Sequence, residues 1–245
     1  GECILNIGKG TWDYSVVKQD YSSFWGQVTI GTSALTVNVK IILDHESFRP
    51  EENGNVQMML MGMDGNITID SNSSTYVINW GDGETSNALG SGRQTYHHQY
   101  NNNNLYQVEI SNCDDITSCN GTKENLVAYW SIGNSQITLL SFPEYRNLLA
   151  IGLIFDNDNS RNNFIGCFRT CRELGGIPLG LFDNCPAAKN FNSCFYECKS
   201  ITSIPPGLFD RNVNVTDFGQ CFYNCPIASI PPGLFDNNSS ATSFN

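Results

Sequence analysis

Phe191-Asn-Ser-Cys-Phe-Tyr-Glu-Cys198 is the most informative stretch of this 245-residue sequence, because it recurs. Related stretches are Phe164-Ile-Gly-Cys-Phe-Arg-Thr-Cys171 before it and Phe218-Gly-Gln-Cys-Phe-Tyr-Asn-Cys225 after it. A fourth copy starts at Phe244, so successive copies are 27, 27 and 26 residues apart. A fixed period of this length is typical of repeat proteins, in which each unit buries its apolar face only by stacking on its neighbours.

The remainder of each unit repeats in the same register. A short apolar segment leads into Pro-x-Gly-Leu-Phe-Asp at 174–183, 201–210 and 227–236, and the proline is typical of a helix start. Phe and Cys at i, i+3, i+4 and i+7 match one face of an α-helix of about two turns. Asn190, Thr216-Asp217 and Thr242-Ser243 supply N-cap chemistry before this face. We therefore predict a short helix and a short strand in each unit.

The repeat resembles the BspA-type leucine-rich repeats of bacterial surface proteins, which also occur in phages of gut Bacteroidales. Residues 164–245 match the family pattern closely, and residues 125–163 are interpreted as degenerate leading repeats. The step from Ile151 to Ile177 is again 26 residues, which supports this extension. The resemblance implies an α/β leucine-rich-repeat-like solenoid over residues 113–245.

A second module is indicated upstream by a tight turn, Trp80-Gly-Asp-Gly83, that follows the predicted strand 74–79. His98-x-Tyr100 and the alternating strand 105–110 complete a pattern that resembles PKD-type immunoglobulin-like domains. The resemblance implies a β-sandwich over residues 56–112, in which six residues have a structural role: Trp80, Gly81, Asp82, Gly83, His98 and Tyr100. Leu105 stands where the family pattern has a glycine. Residues 1–55 are predicted to form a further β-rich element or small β domain, and the fold class is therefore mixed.

Charge and motif content exclude several functions. The chain carries 13 Lys plus Arg against 24 Asp plus Glu, a net charge of -11. Nucleic acid and anionic membrane surfaces are poor partners for such a chain, because both need clustered cations. The longest apolar run, Leu148–Phe155, is too short to span a membrane. No G-x-S-x-G, H-E-x-x-H or P-loop pattern occurs, so we predict no enzyme activity and no cofactor.

The cysteines of the repeats have C-x3-C spacing, which differs from the C-x2-C spacing of most zinc sites. A column of buried thiols is the favoured interpretation, with disulfides as the alternative and no metal site predicted. The six cysteines concerned are Cys167, Cys171, Cys194, Cys198, Cys221 and Cys225. Outside the repeats, Cys113 and Cys119 could close a disulfide loop. Asp156–Ser160 lacks the Gly and Glu of a calcium-binding loop.

Residues that change between otherwise identical units are candidates for ligand contact. They are Arg169, Tyr196, Tyr223, Arg172 and Lys199. With the family resemblance, they predict a non-enzymatic adhesion or recognition protein that presents its repeats to a protein or glycan ligand of a host or neighbouring cell. The alternative is a structural phage virion component (a fibre, decoration or tail appendage), which could be a homo-oligomer. Both imply an extracellular location, on a cell or a virion.

The two ends of the chain lead to an expectation about its completeness. The chain begins at Gly1 and not at Met, and Phe244-Asn245 matches the beginning of a repeat. We therefore expect further repeats beyond Asn245 in a longer protein.

Overall fold

The computed structural model describes residues 10–16, 24–30, 55–112, 116–131, 141–153 and 161–244. Strands and turns make up these residues, and no helix occurs among them. Strands β1 (Gly10–Val16) and β2 (Phe24–Ile30) form an antiparallel hairpin. The remaining strands form one mixed sheet: β3 (Val56–Ser71), β4 (Val77–Asn79), β5 (Thr85–Asn87), β6 (Gly92–Ser111), β7 (Ile116–Gly121), β8 (Leu126–Ser131) and β9 (Ala150–Leu153).

The order of the large sheet is β5-β4-β6-β3-β8-β9, and β7 pairs with β3 at the end of β3 that β8 leaves free. All of its pairs are antiparallel except β8 with β9. Ile67 and Ile69 of β3 are fully buried, whereas Thr68 and Asp70, which alternate with them, are half-buried. This alternation shows that one face of the sheet covers the core and the opposite face is polar.

The predicted α/β solenoid is wrong, because the described repeat residues form turns and not helices. In the first unit the Cys167 N–H donates to the Phe164 carbonyl and the Cys171 N–H donates to the Phe168 carbonyl. Gly166 and Thr170 have φ values of 59° and 62°, in the left-handed region, which an α-helix does not contain. The same conformation recurs at the equivalent positions Ser193, Glu197, Gln220 and Asn224.

The Pro-x-Gly-Leu-Phe-Asp segments, predicted to start with helical turns, are also tight turns. Gly180, Gly207 and Gly233 have φ values between 72° and 76°, and the Asp three residues later donates its N–H to the glycine carbonyl. Glycine fits these positions because it takes left-handed φ values without a steric cost.

Hydrogen bonds between successive units replace those of a helix. The N–H groups of Phe164, Gly166, Phe168 and Thr170 donate to the carbonyls of Asn190, Asn192, Cys194 and Tyr196, at 2.7–3.0 Å. The second unit makes the corresponding bonds to the third, from Phe191, Ser193, Phe195 and Glu197. Alternate N–H groups thus bond to the next unit, while most of those between them close turns. We call residues 161–244, with these bonds, the repeat stack.

Three ladders of nearly parallel phenylalanine rings form the core of the repeat stack. Ring centroids in successive units are 5.0–6.0 Å apart. The ladders are Phe164–Phe191–Phe218–Phe244, Phe182–Phe209–Phe235 and Phe168–Phe195–Phe222, the last of which Phe142 extends beyond the stack. Such offset stacking adds to the free energy gained by burying the ring surface. The main apolar cluster runs from Val56 in the sheet to Leu234 in the last unit, and a second, smaller cluster contains Met59, Val127, Ala128 and Ala150.

Polar side chains cap the turns of each unit. The side-chain oxygens of Asn163, Asn190 and Asp217 accept the N–H of the residue two positions later, at 2.7–2.9 Å. The capping chemistry predicted for Asn190 and Asp217 therefore caps a turn and not a helix. Sequence reasoning missed two buried asparagines: Asn212 and Asn238 donate to carbonyls of the preceding unit.

Strands β8 and β9 connect the sheet to the repeat stack. β9 pairs in parallel with β8, and Gly175 of the first repeat donates its N–H to Leu149 next to β9. Phe142 also donates its N–H to Cys167 and starts one phenylalanine ladder. Residues 141–153 thus behave as a leading coil of the stack. The predicted domain boundaries at 55/56 and 112/113 stay predictions.

Replacement of Phe195 tests the ladder arrangement. Its fully buried ring lies 5.2 Å from Phe168 and 5.4 Å from Phe222, so Phe195→Ala should lower the free energy of unfolding by about 3 to 5 kcal/mol. Phe244→Ala is the matched control, because Phe244 is 53% exposed and should cost far less. Urea denaturation of both variants measures this difference. Equal losses in the two variants would contradict the packing described.

Candidate recognition surface

The predicted contact residues Arg169, Tyr196 and Tyr223 lie on one outer face of the repeat stack, at equivalent positions in successive units. The guanidinium carbon of Arg169 lies 5.0 Å from the centroid of the Tyr196 ring. The Tyr196 and Tyr223 rings are stacked with centroids 5.0 Å apart and planes 12° apart. We call these three residues the tyrosine column. Each residue of the column directly precedes a residue with left-handed φ, so the geometry of the turn sets the direction of its side chain.

The other two predicted residues contact the next unit. The guanidinium of Arg172 lies 3.3 Å from the Glu197 carboxylate, and the ammonium of Lys199 donates to the Asn224 carbonyl at 3.1 Å. Both contacts span 25 residues and join equivalent positions, but Glu197 accepts with its side-chain carboxylate and Asn224 with its backbone carbonyl. The exposed Arg172–Glu197 ion pair is worth at most about 1 kcal/mol. The charged groups of Arg172 and Lys199 are therefore already in contact with the next unit, beside the tyrosine column.

The tyrosine column offers hydrogen-bonding and apolar groups together. Among the described residues, neither the Tyr196 nor the Tyr223 hydroxyl has a hydrogen-bond partner, so both can donate to or accept from a ligand. The Tyr223 side chain is 52% exposed, and no described ring covers its outer face. A tyrosine ring with an accessible face and a polar tip is a common anchor in binding surfaces.

The Trp80-Gly-Asp-Gly83 turn and the His98-x-Tyr100 pair form one packed cluster. Tyr100 donates its hydroxyl to the Trp80 carbonyl at 2.9 Å, and His98 stacks on Trp80 at 4.7 Å. A Cβ atom at Gly81 would lie 2.2 Å from the Gln107 carbonyl oxygen, so only glycine fits there. The cluster binds the β4–β5 turn to β6, an arrangement suited to a structural role.

A hydrogen bond of 2.7 Å joins the His98 ring to the Asp82 carboxylate in this cluster. Burial acts to raise the pKa of Asp82, but the bonds from His98 and from the Glu84 N–H outweigh it. The pKa of Asp82 is therefore lower than usual.

The repeat cysteines lie between the phenylalanine ladders. Cys171, Cys198 and Cys225 each direct their thiol to a phenylalanine carbonyl of the preceding unit, at 2.9–3.1 Å. Cys167, Cys194 and Cys221 are buried in a second row. Burial raises the pKa of the Cys171, Cys194 and Cys221 thiols. Cys225 is half-buried, and its hydrogen bond with Cys198 lowers its pKa.

Disulfides are the alternative to buried thiols for the repeat cysteines, and no metal site is predicted. The described ranges contain no group of three or more His, Cys, Asp or Glu side chains placed to hold a metal ion. Cys119 is buried on β7, and Cys113 lies outside the described residues, so the disulfide between them stays a prediction. Asp156–Ser160 also lies outside the described residues.

Comparison with known proteins found no matching family model, no matching curated protein and no matching solved structure. The resemblances to BspA-type repeats and PKD-type domains therefore stay predictions. A search of the described residues for a helix long and apolar enough to cross a membrane found none.

The lowered pKa of Asp82 predicts a dependence of stability on pH. A carboxyl whose pKa is lower in the folded than in the unfolded state stabilises the fold above the unfolded value of about 4. This stability is lost as the pH falls through the folded value. Asp82→Asn should therefore weaken the acid dependence of the unfolding free energy, measured by urea denaturation between about pH 6 and pH 3. Glu173→Gln, at an exposed position of the repeat stack, is the matched control, and an equal effect of the two substitutions would contradict the prediction.

Burial of the thiols predicts their order of alkylation. Among the described cysteines, iodoacetamide on the folded chain should modify Cys225 first, because its thiol is partly accessible and thiolate is the reactive form. Cys171, Cys194 and Cys221 should react only after urea unfolding. Peptide mass spectrometry after timed labelling measures both rates. Equal rates for Cys194 and Cys225 in the folded chain would contradict this arrangement.

Proposed function

We propose that this chain is a non-enzymatic recognition module that binds a protein or glycan ligand on the surface of a host or neighbouring cell. The tyrosine column is the observation that carries the proposal. In this proposal the protein acts outside the cell, displayed on a cell surface or on a virion.

The rigidity of the surface supports this function. Beneath the column, the Thr170 N–H donates to the Tyr196 carbonyl and the Glu197 N–H donates to the Tyr223 carbonyl, at 2.7 and 2.8 Å. The spacing of the rings is therefore set by the backbone before any ligand arrives. Tyrosine has few rotatable bonds, and a ring already held by stacking loses little further freedom on binding.

Charge narrows the class of ligand. Arg172 and Lys199 are occupied by the neighbouring unit, and Arg169 lies against Tyr196. The face therefore offers aromatic surface and hydroxyl groups more than free positive charge, on a chain with a net charge of -11. A strongly anionic ligand would be repelled at long range, so a neutral glycan or an uncharged protein segment fits better.

Substitutions in the column test the proposal on a glycan array and on intact bacterial and epithelial cells. Tyr223→Ala should lower binding about tenfold, because hot-spot tyrosines contribute this much or more. Tyr223→Phe should have a smaller effect, since it keeps the ring and loses only the hydroxyl. Leu179→Ala is the matched control, because Leu179 is exposed on the repeat stack but outside the column.

Two results would overturn the proposal. One is the absence of any bound glycan or cell for the wild-type chain, together with symmetric particles in electron micrographs, as a structural virion part would give. The other is full binding by Tyr196→Ala and Tyr223→Ala variants that retain the wild-type melting temperature.

A further inference from the structure

A cavity of about 350 Å³ lies on the large sheet, away from the tyrosine column. Six of its lining residues are Thr68, Asp70, Arg93, Ser118, Asn120 and Tyr145. Ligand pockets of small molecules begin at roughly 300 Å³, so the cavity has room for one. Most such pockets are lined by apolar side chains, whereas five of these six residues carry polar or charged side chains and come from three strands. We call it the sheet cavity.

Strand register brings these residues together in two rows. Ser118 of β7, Asp70 of β3 and Arg93 of β6 are direct cross-strand partners. In the adjacent row, Asn120 of β7 is the partner of Thr68 of β3. Ile67 and Ile69 alternate with Thr68 and Asp70 and are buried in the core, which places the polar pair on the opposite face.

Several polar groups of the sheet cavity have no partner among the residues that the structure describes. Asp70 and Arg93 are opposite each other, yet they form no ion pair, and their charged groups make no hydrogen bond with the described residues. The Asn120 side-chain oxygen is buried, and it too lacks a partner there. A buried acceptor without a partner is unfavourable, and a ligand that donates to it would remove this cost.

The combination of groups indicates the chemistry of the ligand. An ionised carboxylate only accepts hydrogen bonds, and a guanidinium only donates them. A hydroxyl does both, so neighbouring hydroxyls of one molecule can donate to Asp70 and Asn120 and accept from Arg93. The single negative and single positive charge cancel, which favours a ligand without net charge. An amino-acid zwitterion would match Asp70 and Arg93 but offers few groups to the Asn120–Thr68 row.

We propose that the sheet cavity is a binding site for a neutral polyhydroxylated ligand, a hexose or the terminal hexose of a glycan. The site is separate from the tyrosine column and shares no residue with it. An experiment can therefore disprove one of the two sites without bearing on the other.

The test is titration of the isotope-labelled full chain with glucose, galactose, mannose and N-acetylglucosamine, followed by amide NMR spectra. At least one sugar should produce saturable shifts at residues 68–70, 93 and 118–121, with a dissociation constant of about 1 to 10 mM. Arg93→Gln and Asp70→Ala should each weaken binding about tenfold, since each removes a charge-assisted hydrogen bond. Arg211→Gln, which removes an exposed arginine of the repeat stack, should bind as wild type.

Further titrations distinguish the source of the sugar, and three outcomes would overturn the proposal. Retained binding of the methyl glycosides assigns the terminal residue of a glycan, and its loss assigns the free reducing sugar. Tighter binding of glucuronate or alanine than of every neutral hexose would overturn the neutral-ligand assignment. Absence of saturable shifts up to about 100 mM sugar, or unchanged affinity in a folded Arg93→Gln variant, would overturn the site itself. Arg93 is exposed, so its replacement should leave the fold intact.

Discussion

Hydrogen bonding between units is the constraint on which the repeat stack depends. Each Phe-x-x-Cys-Phe-x-x-Cys segment has too few residues to satisfy its own backbone in a stable helix, because isolated helices of this length are marginal. Folded as consecutive turns, the segment directs alternate N–H groups to the next unit and uses most of the remainder to close turns. The backbone of one unit is thereby satisfied by its neighbour, and no unit is complete alone.

The side chains follow from this backbone arrangement. Because equivalent residues are held in register, identical side chains lie directly above one another, and the phenylalanines form ladders. Cysteine fits between the ladders because it is small and apolar, and its thiol can donate weakly to a carbonyl. Non-glycine residues such as Thr170 and Glu197 adopt left-handed φ. This conformation costs roughly 1 kcal/mol or more per residue, which the bonds between units offset.

The two proposed sites use the same physical device in different parts of the molecule. In the tyrosine column, register between units aligns one outward position of each turn. In the sheet cavity, register between strands aligns polar residues of β3, β6 and β7. In both, hydrogen-bonded backbone positions the side chains before a ligand binds. Alignment by register does not by itself make a side chain available to a ligand. Arg172 and Lys199 are aligned in the same way, but each already contacts the next unit.

The sequence by itself determined the period of the repeat and the apolar positions that face the stack, and its resemblance to a known family predicted the residues of the Trp80 turn cluster. It predicted that Asn190 and Asp217 cap a helix, whereas they cap turns. It could not decide between helix and turns, because a two-turn helix and two consecutive four-residue turns both place apolar residues at i, i+3, i+4 and i+7. Tertiary structure decided for turns, since the N–H partners lie in the next unit, 26 residues along the chain. The buried Asn212 and the Asp70–Arg93 pairing likewise depend on register between distant segments, which no local pattern of residue types encodes.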